Sequence, residues 1–156
     1  MMYLLNILRS LFSTTTKTGA ISVCRGDVYK FSRRSLERLQ SCDVRLQDIC
    51  HELIKHMDIT VLEGYRSREK QNKAFSEGRS KLQYPNSKHN QTPSLAVDIA
   101  PYPIDWNDRE RFAYMGGLAK GIGATMGINV RWGGDWNSDG RIKDHKFQDM
   151  PHIEIK

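Results

Sequence analysis

Leu95-Ala96-Val97-Asp98-Ile99-Ala100 is an apolar run with a single carboxylate set inside it. Its length and apolar content read as a short strand over 95–99, and the aspartate is the anomaly. A carboxylate buried in such a run is unfavourable unless a partner or a metal compensates it. Working outward, residues 59–65 read as another strand through their β-branched residues, and 129–132 and 152–155 as two more. Residues 35–40 predict a helical turn. Residues 43–55 predict an amphipathic helix with Leu46, Ile49, Cys50 and Leu53 on one face. Ser67 is placed to cap a helix running to about Glu77, which Gly78 stops. Residues 79–93 are polar, carry Pro85 and Pro93, and are expected as a loop. Residues 108–126 predict a helix despite Gly116, Gly117, Gly121 and Gly123. Strands and helices mixed without βαβ regularity point to an α+β fold.

A chain of 156 residues is long enough for one domain with its own core and too short for two. The domain is expected to span 27–156, with 1–26 a peripheral or disordered extension. Met1-Met2-Tyr3-Leu4-Leu5-Asn6-Ile7-Leu8 is apolar but far short of the ~20 residues of a membrane span, so no stable span is expected. Arg9 follows this run, whereas a secretory signal carries its positive charge first. The formal charge of +6 suits an anionic polymer. The basic residues are scattered without an aromatic-interleaved stripe, so nucleic acid is not an expected partner. Cys24, Cys42 and Cys50 are odd in number and lack C-x-x-C spacing, which argues against a disulfide framework or cysteine-held zinc. A Cys42–Cys50 bridge is compatible with the sequence, though nothing in it requires one.

The sharpest chemical signal is His89, in Ser87-Lys88-His89-Asn90, together with Asp98 and with His152, which heads Pro151-His152-Ile153-Glu154-Ile155. Two imidazoles and one carboxylate form a catalytic zinc set, leaving the fourth position for water. Singly, each has an ordinary reading: a histidine as a structural or exposed side chain, an aspartate as a turn or cap residue.

Four ordered segments carry a resemblance. They are Gly64-Tyr65-Arg66-Ser67; Ser87-Lys88-His89 followed by Ala96-Val97-Asp98; Arg131-Trp132-Gly133-Gly134-Asp135-Trp136; and Asp149-Met150-Pro151-His152-Ile153-Glu154. Together they resemble the motifs of the LAS-type zinc peptidases. That group includes D-alanyl-D-alanine carboxypeptidases and the L-alanyl-D-glutamate peptidases used as phage endolysins. The similarity covers about residues 29–156, and the 29–39 and Trp-Gly-Gly-Asp-Trp stretches resemble the endolysin branch most. It implies a small single α+β domain of the LAS/hedgehog type, an antiparallel sheet flanked by helices. It also implies a monomeric zinc metallopeptidase that cuts the peptidoglycan stem peptide, foremost at the L-alanyl–D-glutamate bond. The alternatives are a D-alanyl-D-alanine carboxypeptidase and a non-catalytic zinc-stabilised wall-binding module. As an endolysin it would wait in the host bacterial cytoplasm before release to the periplasm and cell wall.

Carried over by position, the family's zinc ligands fall on His89, Asp98 and His152, and its catalytic carboxylate on Asp149, a general base and then acid. Its arginine falls on Arg66, whose cationic fork would stabilise an oxyanion; a salt bridge with Glu63 or Glu69 is the plainer role. Ser87 matches a serine that holds substrate or orients the metal loop. One departure concerns spacing. Eight residues separate His89 from Asp98, two more than is usual in the family, which puts the shape of the cleft in question.

Asp135-Trp136-Asn137-Ser138-Asp139-Gly140-Arg141-Ile142-Lys143-Asp144 reads as the first ten positions of a calcium loop. Asp135, Asn137 and Asp139 supply oxygens, Arg141 a backbone carbonyl and Asp144 a displaced final ligand, since position 12 is Lys146. The alternative is an ordinary polar turn. Calcium bound there is expected to order the segment carrying Asp149 and His152.

Overall fold

Ile59–Glu63 (β1), Ala96–Pro101 (β2), Val130–Trp132 (β3) and His152–Ile155 (β4) form one antiparallel sheet in the order β1-β2-β4-β3. The computed structural model describes residues 29–144 and 146–156. The expected extension at 1–26, with Cys24, lies outside the described residues.

Period-2 alternation explains the carboxylate in the apolar run. Val97 and Ile99 of β2, Ile153 and Ile155 of β4, and Val130 and Trp132 of β3 belong to one buried apolar cluster. Asp98, His152 and Glu154 alternate with them and project to the other face. The pairing register sets Asp98 opposite His152 and Arg131 opposite Glu154, while β1 bulges between Val61 and Glu63 to bring Glu63 opposite Asp98. Residues directly opposite in an antiparallel pair share a face. The sheet therefore has an apolar side and a polar, chemically loaded side.

The helices Arg33–Leu39 (α1), Val44–Leu53 (α2), Arg68–Ser76 (α3) and Arg109–Thr125 (α4) begin at side-chain caps from Ser32, Asp43, Ser67 and Asp108. Each cap oxygen accepts a backbone N–H that the first turn leaves without a helical partner. Helix α4 packs on β2, β3 and α2, and α1 packs on β1. Leu46, Ile49 and Leu53 of α2 join Phe112 and Met115 of α4 in the apolar cluster. Gly78 and Gly127 take positive φ just past α3 and α4, as a helix stop requires. The small residues of α4 have separate reasons. A Cβ on Gly116 would lie 2.3 Å from the Trp132 ring, whereas one on Gly117 would meet nothing within 4 Å.

The expected α+β architecture and its four strands are present. One difference lies in the expected loop at 79–93, which contains a 3-10 turn at Lys88–Asn90; so short an element leaves no hydrophobic period to read. Cys42 and Cys50 are free and buried, so there is no bridge between them. Burial pushes the Cys42 thiol up to about 12, which keeps it protonated and inert. Among the described residues no helix is long and apolar enough to cross a membrane.

The glycine account is testable by denaturant unfolding. Gly116→Ala forces the Trp132 ring to shift and is expected to cost about 1–3 kcal/mol. Gly117→Ala, on the open side of the same helix, is expected to stabilise by up to ~1 kcal/mol. Equal effects of the two changes would remove packing as the reason for Gly116.

Candidate metal centre

The sheet register alone brings two of the three sequence-selected residues together, since Asp98 and His152 are cross-strand partners on β2 and β4. The third arrives on the 3-10 turn. Ser87 caps that turn, its hydroxyl accepting the His89 N–H at 3.3 Å, while Asn90 Oδ1 accepts the Ser87 N–H at 3.2 Å. The turn is stapled to the segment after β1: the Arg66 N–H donates to the His89 carbonyl at 2.8 Å, and Asn90 Nδ2 donates to the Arg66 carbonyl at 2.8 Å. Ser87 therefore shapes the backbone that carries His89.

His89 Nε2 lies 3.1 Å from Asp98 Oδ1 and 3.1 Å from His152 Nδ1, and the latter two atoms are 3.2 Å apart. The far nitrogens decide what these atoms are. His89 Nδ1 is 2.7 Å from the Gly64 carbonyl, which only accepts, so Nδ1 carries the proton and Nε2 presents a lone pair. His152 Nε2 is 2.9 Å from Glu154 Oε2, so its Nδ1 is the bare nitrogen in the neutral ring. Three lone-pair atoms thus converge on one point. Donors on a tetrahedral ion with bonds of 2.0–2.1 Å stand about 3.3 Å apart, close to this triangle. Among the described residues, this is the group of three or more His, Cys, Asp and Glu side chains with metal-binding spacing.

Without a cation a proton must take its place. Burial disfavours charge on His152, but hydrogen bonds to Asp98 and Glu154 outweigh it and raise the imidazolium to about 9. Asp98 is likewise desolvated, yet the two histidines hold it well below the usual carboxylate range.

The triad sits in the wall of a cleft of about 640 Å³, which Arg66, Ser87 and Asp149 also line, with Trp106, Trp136 and Phe147 as its aromatic surfaces. Burial pushes the Asp149 carboxyl up, and the Asp98 charge adds to this. The Asp149 backbone is fixed by Gly133: the Asp149 N–H donates to the Gly133 carbonyl at 2.9 Å, and the His152 N–H to the Asp149 carbonyl at 3.0 Å. A Cβ on Gly133 would lie 2.3 Å from that Asp149 carbonyl oxygen, so only glycine permits the approach. Arg66 is held by three residues. It donates from Nε to Glu63 at 2.7 Å, from Nη1 to Gln71 at 3.2 Å and from Nη2 to Asp98 Oδ2 at 3.1 Å. The salt bridge to Glu63 and a place beside the triad therefore coexist.

The longer stretch between His89 and Asp98 runs past the cleft lining. Residues 91–93 are exposed, Ser94 is buried, and Ser94 anchors the return through backbone bonds with Ser41 and Asp43 at 2.9 and 2.8 Å. None of these residues lines the cleft. In the 135–144 loop, buried Asp135 accepts the Lys120 ammonium at 2.7 Å and the Asp139 and Gly140 N–H groups at 3.0 and 3.1 Å. Asp139 Oδ1 accepts the Arg141 N–H at 2.8 Å, Asn137 Nδ2 reaches Asp144 Oδ2 at 3.5 Å, and Gly140 turns the chain at φ +84°.

Residues 27–156 match the family model described as phage L-alanyl-D-glutamate peptidase. The chain belongs to that family. It is 31% identical over 135 residues to an L-alanyl-D-glutamate peptidase of Escherichia phage T5, covering 81% of this chain and 98% of the relative. Its fold is similar to that of the Serratia marcescens L-Ala D-Glu endopeptidase ChiX, with a TM-score of 0.67 at 24% identity over 83% of this chain and 92% of the other.

Sequence reasoning overlooked Glu154, Gln71 and the Gly64 carbonyl. Glu154 had a usable signal, since it stands two residues after His152 in a strand and so shares its face. The Gly64 carbonyl had none, because its partner His89 is distant in the chain, and Gln71, though near Arg66 in sequence, belongs to no pattern that marks it.

Metal binding must displace the His152 proton, so affinity rises with pH until the ring is neutral. Apparent affinity for a divalent ion is expected to climb between pH 6 and 9, toward ~10-fold per unit, and to flatten above about 9. Competition with a chelator across that range checks it; a flat profile would contradict the assigned protonation.

Proposed function

We propose that His89 Nε2, Asp98 Oδ1 and His152 Nδ1 hold a zinc ion, and that the chain uses it to cut the L-alanyl–D-glutamate bond of the peptidoglycan stem peptide. The chain is a peptidoglycan hydrolase by family. The observation that carries the metal reading is the convergence of three lone pairs, without an intervening donor, in a cleft wall. Two nitrogens and one oxygen at this spacing suit zinc, which three protein donors would hold. Bound there, zinc supplies Lewis acidity for the scissile carbonyl and for activating water.

The chain's own groups do the rest. Asp149 takes the proton from the attacking water and returns it to the departing D-glutamate amine. Its raised affinity for protons makes it a better base than an ordinary aspartate. Arg66 holds Asp98 Oδ2, which leaves Oδ1 for the ion, and its charge in the cleft wall favours the oxyanion. Ser87 keeps the His89 turn in place. Arg79, Lys81 and Lys88 along the cleft favour an acidic stem peptide. All three ligands come from one chain, so a monomer suffices. The likeness to a phage enzyme supports an endolysin held in the host cytoplasm until release to the wall.

The 135–144 loop is further proposed to bind calcium, with Asp135, Asn137, Asp139, the Arg141 carbonyl and Asp144 as ligands. The turn at Gly140 and the proximity in chain to Gly133, which holds Asp149, support it. Calcium there has to displace Lys120 from Asp135.

Asp149→Ala is expected to lower kcat by about 10²–10⁴-fold while zinc content is unchanged. Intact wall clearing by this variant would overturn the assignment of Asp149 as the base, whereas a wild-type protein that binds wall without clearing it would favour the binding module. Digestion of purified wall should release new L-alanine carboxyl and D-glutamate amino ends; free D-alanine would indicate the carboxypeptidase. Calcium added to the zinc-loaded enzyme should raise turnover, and an unchanged rate across calcium concentrations would remove the calcium site.

A further inference from the structure

Glu154 is neither one of the three converging donors nor the proposed base, yet it is buried, with 4% of its surface exposed. Its two oxygens are divided. Oε2 stands 2.9 Å from His152 Nε2, and Oε1 accepts Arg131 Nε at 3.0 Å and also Arg131 Nη2. The register sets Arg131 directly opposite Glu154 on β3. The Arg131 guanidinium lies 5.4 Å from the centroid of Trp136, and the Trp136 and His152 ring centroids are 5.4 Å apart. These four side chains close a ring around the outer edge of one ligand of the triad.

We propose that Glu154, held by Arg131, is the positioning residue that fixes the His152 tautomer, so that Nδ1 and not Nε2 is the metal donor. The inference rests on the metal reading above. An imidazole has two nitrogens, and the partner of one selects what the other offers. A carboxylate only accepts, so His152 Nε2 must donate to it and Nδ1 faces the ion without a proton. Arg131 has only donors, which keeps Glu154 ionised and oriented.

The isosteric amide is a sharper test than a truncation. In Glu154→Gln, Arg131 claims the amide oxygen because it has only donors to give. The amide NH2 then faces His152 Nε2, which must accept, and the ring proton moves to Nδ1, toward the ion. Glu154→Gln is therefore expected to lower zinc affinity by about 10–100-fold in chelator competition, although volume and packing are preserved. Adding Arg131→Met frees the amide to turn its oxygen to His152, and the double variant should recover much of the lost affinity.

The nitrogen chemical shifts of His152 in the zinc-loaded wild-type protein provide the second readout. They should report a metal-bound Nδ1 and a protonated Nε2, a result that needs no variant to fold. Zinc on Nε2 would overturn the inference. So would undiminished zinc affinity in a folded Glu154→Gln, or a loss that Arg131→Met only deepens. Failure of the wild type to bind zinc at all would instead sink the metal reading itself.

Discussion

The antiparallel pairing of Asp98 with His152 is the constraint on which the rest of this protein depends. A slip of β4 by one residue against β2 would turn His152 into the apolar core and expose Ile153 to the cleft. The register is protected by that penalty. The same alternation that buries Val97, Ile99, Ile153 and Ile155 obliges Asp98, His152 and Glu154 to share the opposite face. Hydrophobic burial, which is not directional, thereby fixes a polar arrangement that is.

Assembling three electron-rich atoms at 3.1–3.2 Å is unfavourable in the absence of a positive charge. The surroundings supply several means of holding it. The Gly64 carbonyl and Glu154 each take an outward imidazole proton, and Arg66 takes the second oxygen of Asp98. Two of these partners are themselves tied to another strand, Arg66 to Glu63 and Glu154 to Arg131. The metal reading thus draws on a layer of partners that occupy the wrong-facing atoms and leave the right ones bare. Loss of any one would leave a buried group unpaired, which is why the face reads as one unit and not as separate residues.

Asp149 and His152 are coupled through the backbone as well. Asp149 is bound to Gly133, and the His152 N–H returns to the Asp149 carbonyl, so the segment from the proposed base to the proposed ligand has little freedom. Trp132, next to Gly133, inserts its ring against Gly116 of α4 and donates from Nε1 to the Met150 carbonyl at 2.7 Å. Core packing therefore reaches the chemistry through a single tryptophan. The glycines on either side of this contact reflect close approach and not chain flexibility.

Much of this was legible in the sequence. Apolar periodicity located the strands and long helices, cap residues located the helix starts, and the ordered motifs picked out His89, Asp98, His152, Asp149, Arg66 and Ser87. These signals are local, each carried by a few neighbouring residues whose physical preference is the same wherever they occur. Strand pairing is not local, and the sequence was silent on it. The order β1-β2-β4-β3, the bulge that turns Glu63 toward Asp98, the contact of Arg131 with Glu154 and the choice of His152 Nδ1 all require residues distant in the chain to meet. Tertiary structure decided these because a hydrogen bond depends on where both partners stand, and a residue's neighbours in sequence fix only one of the two positions.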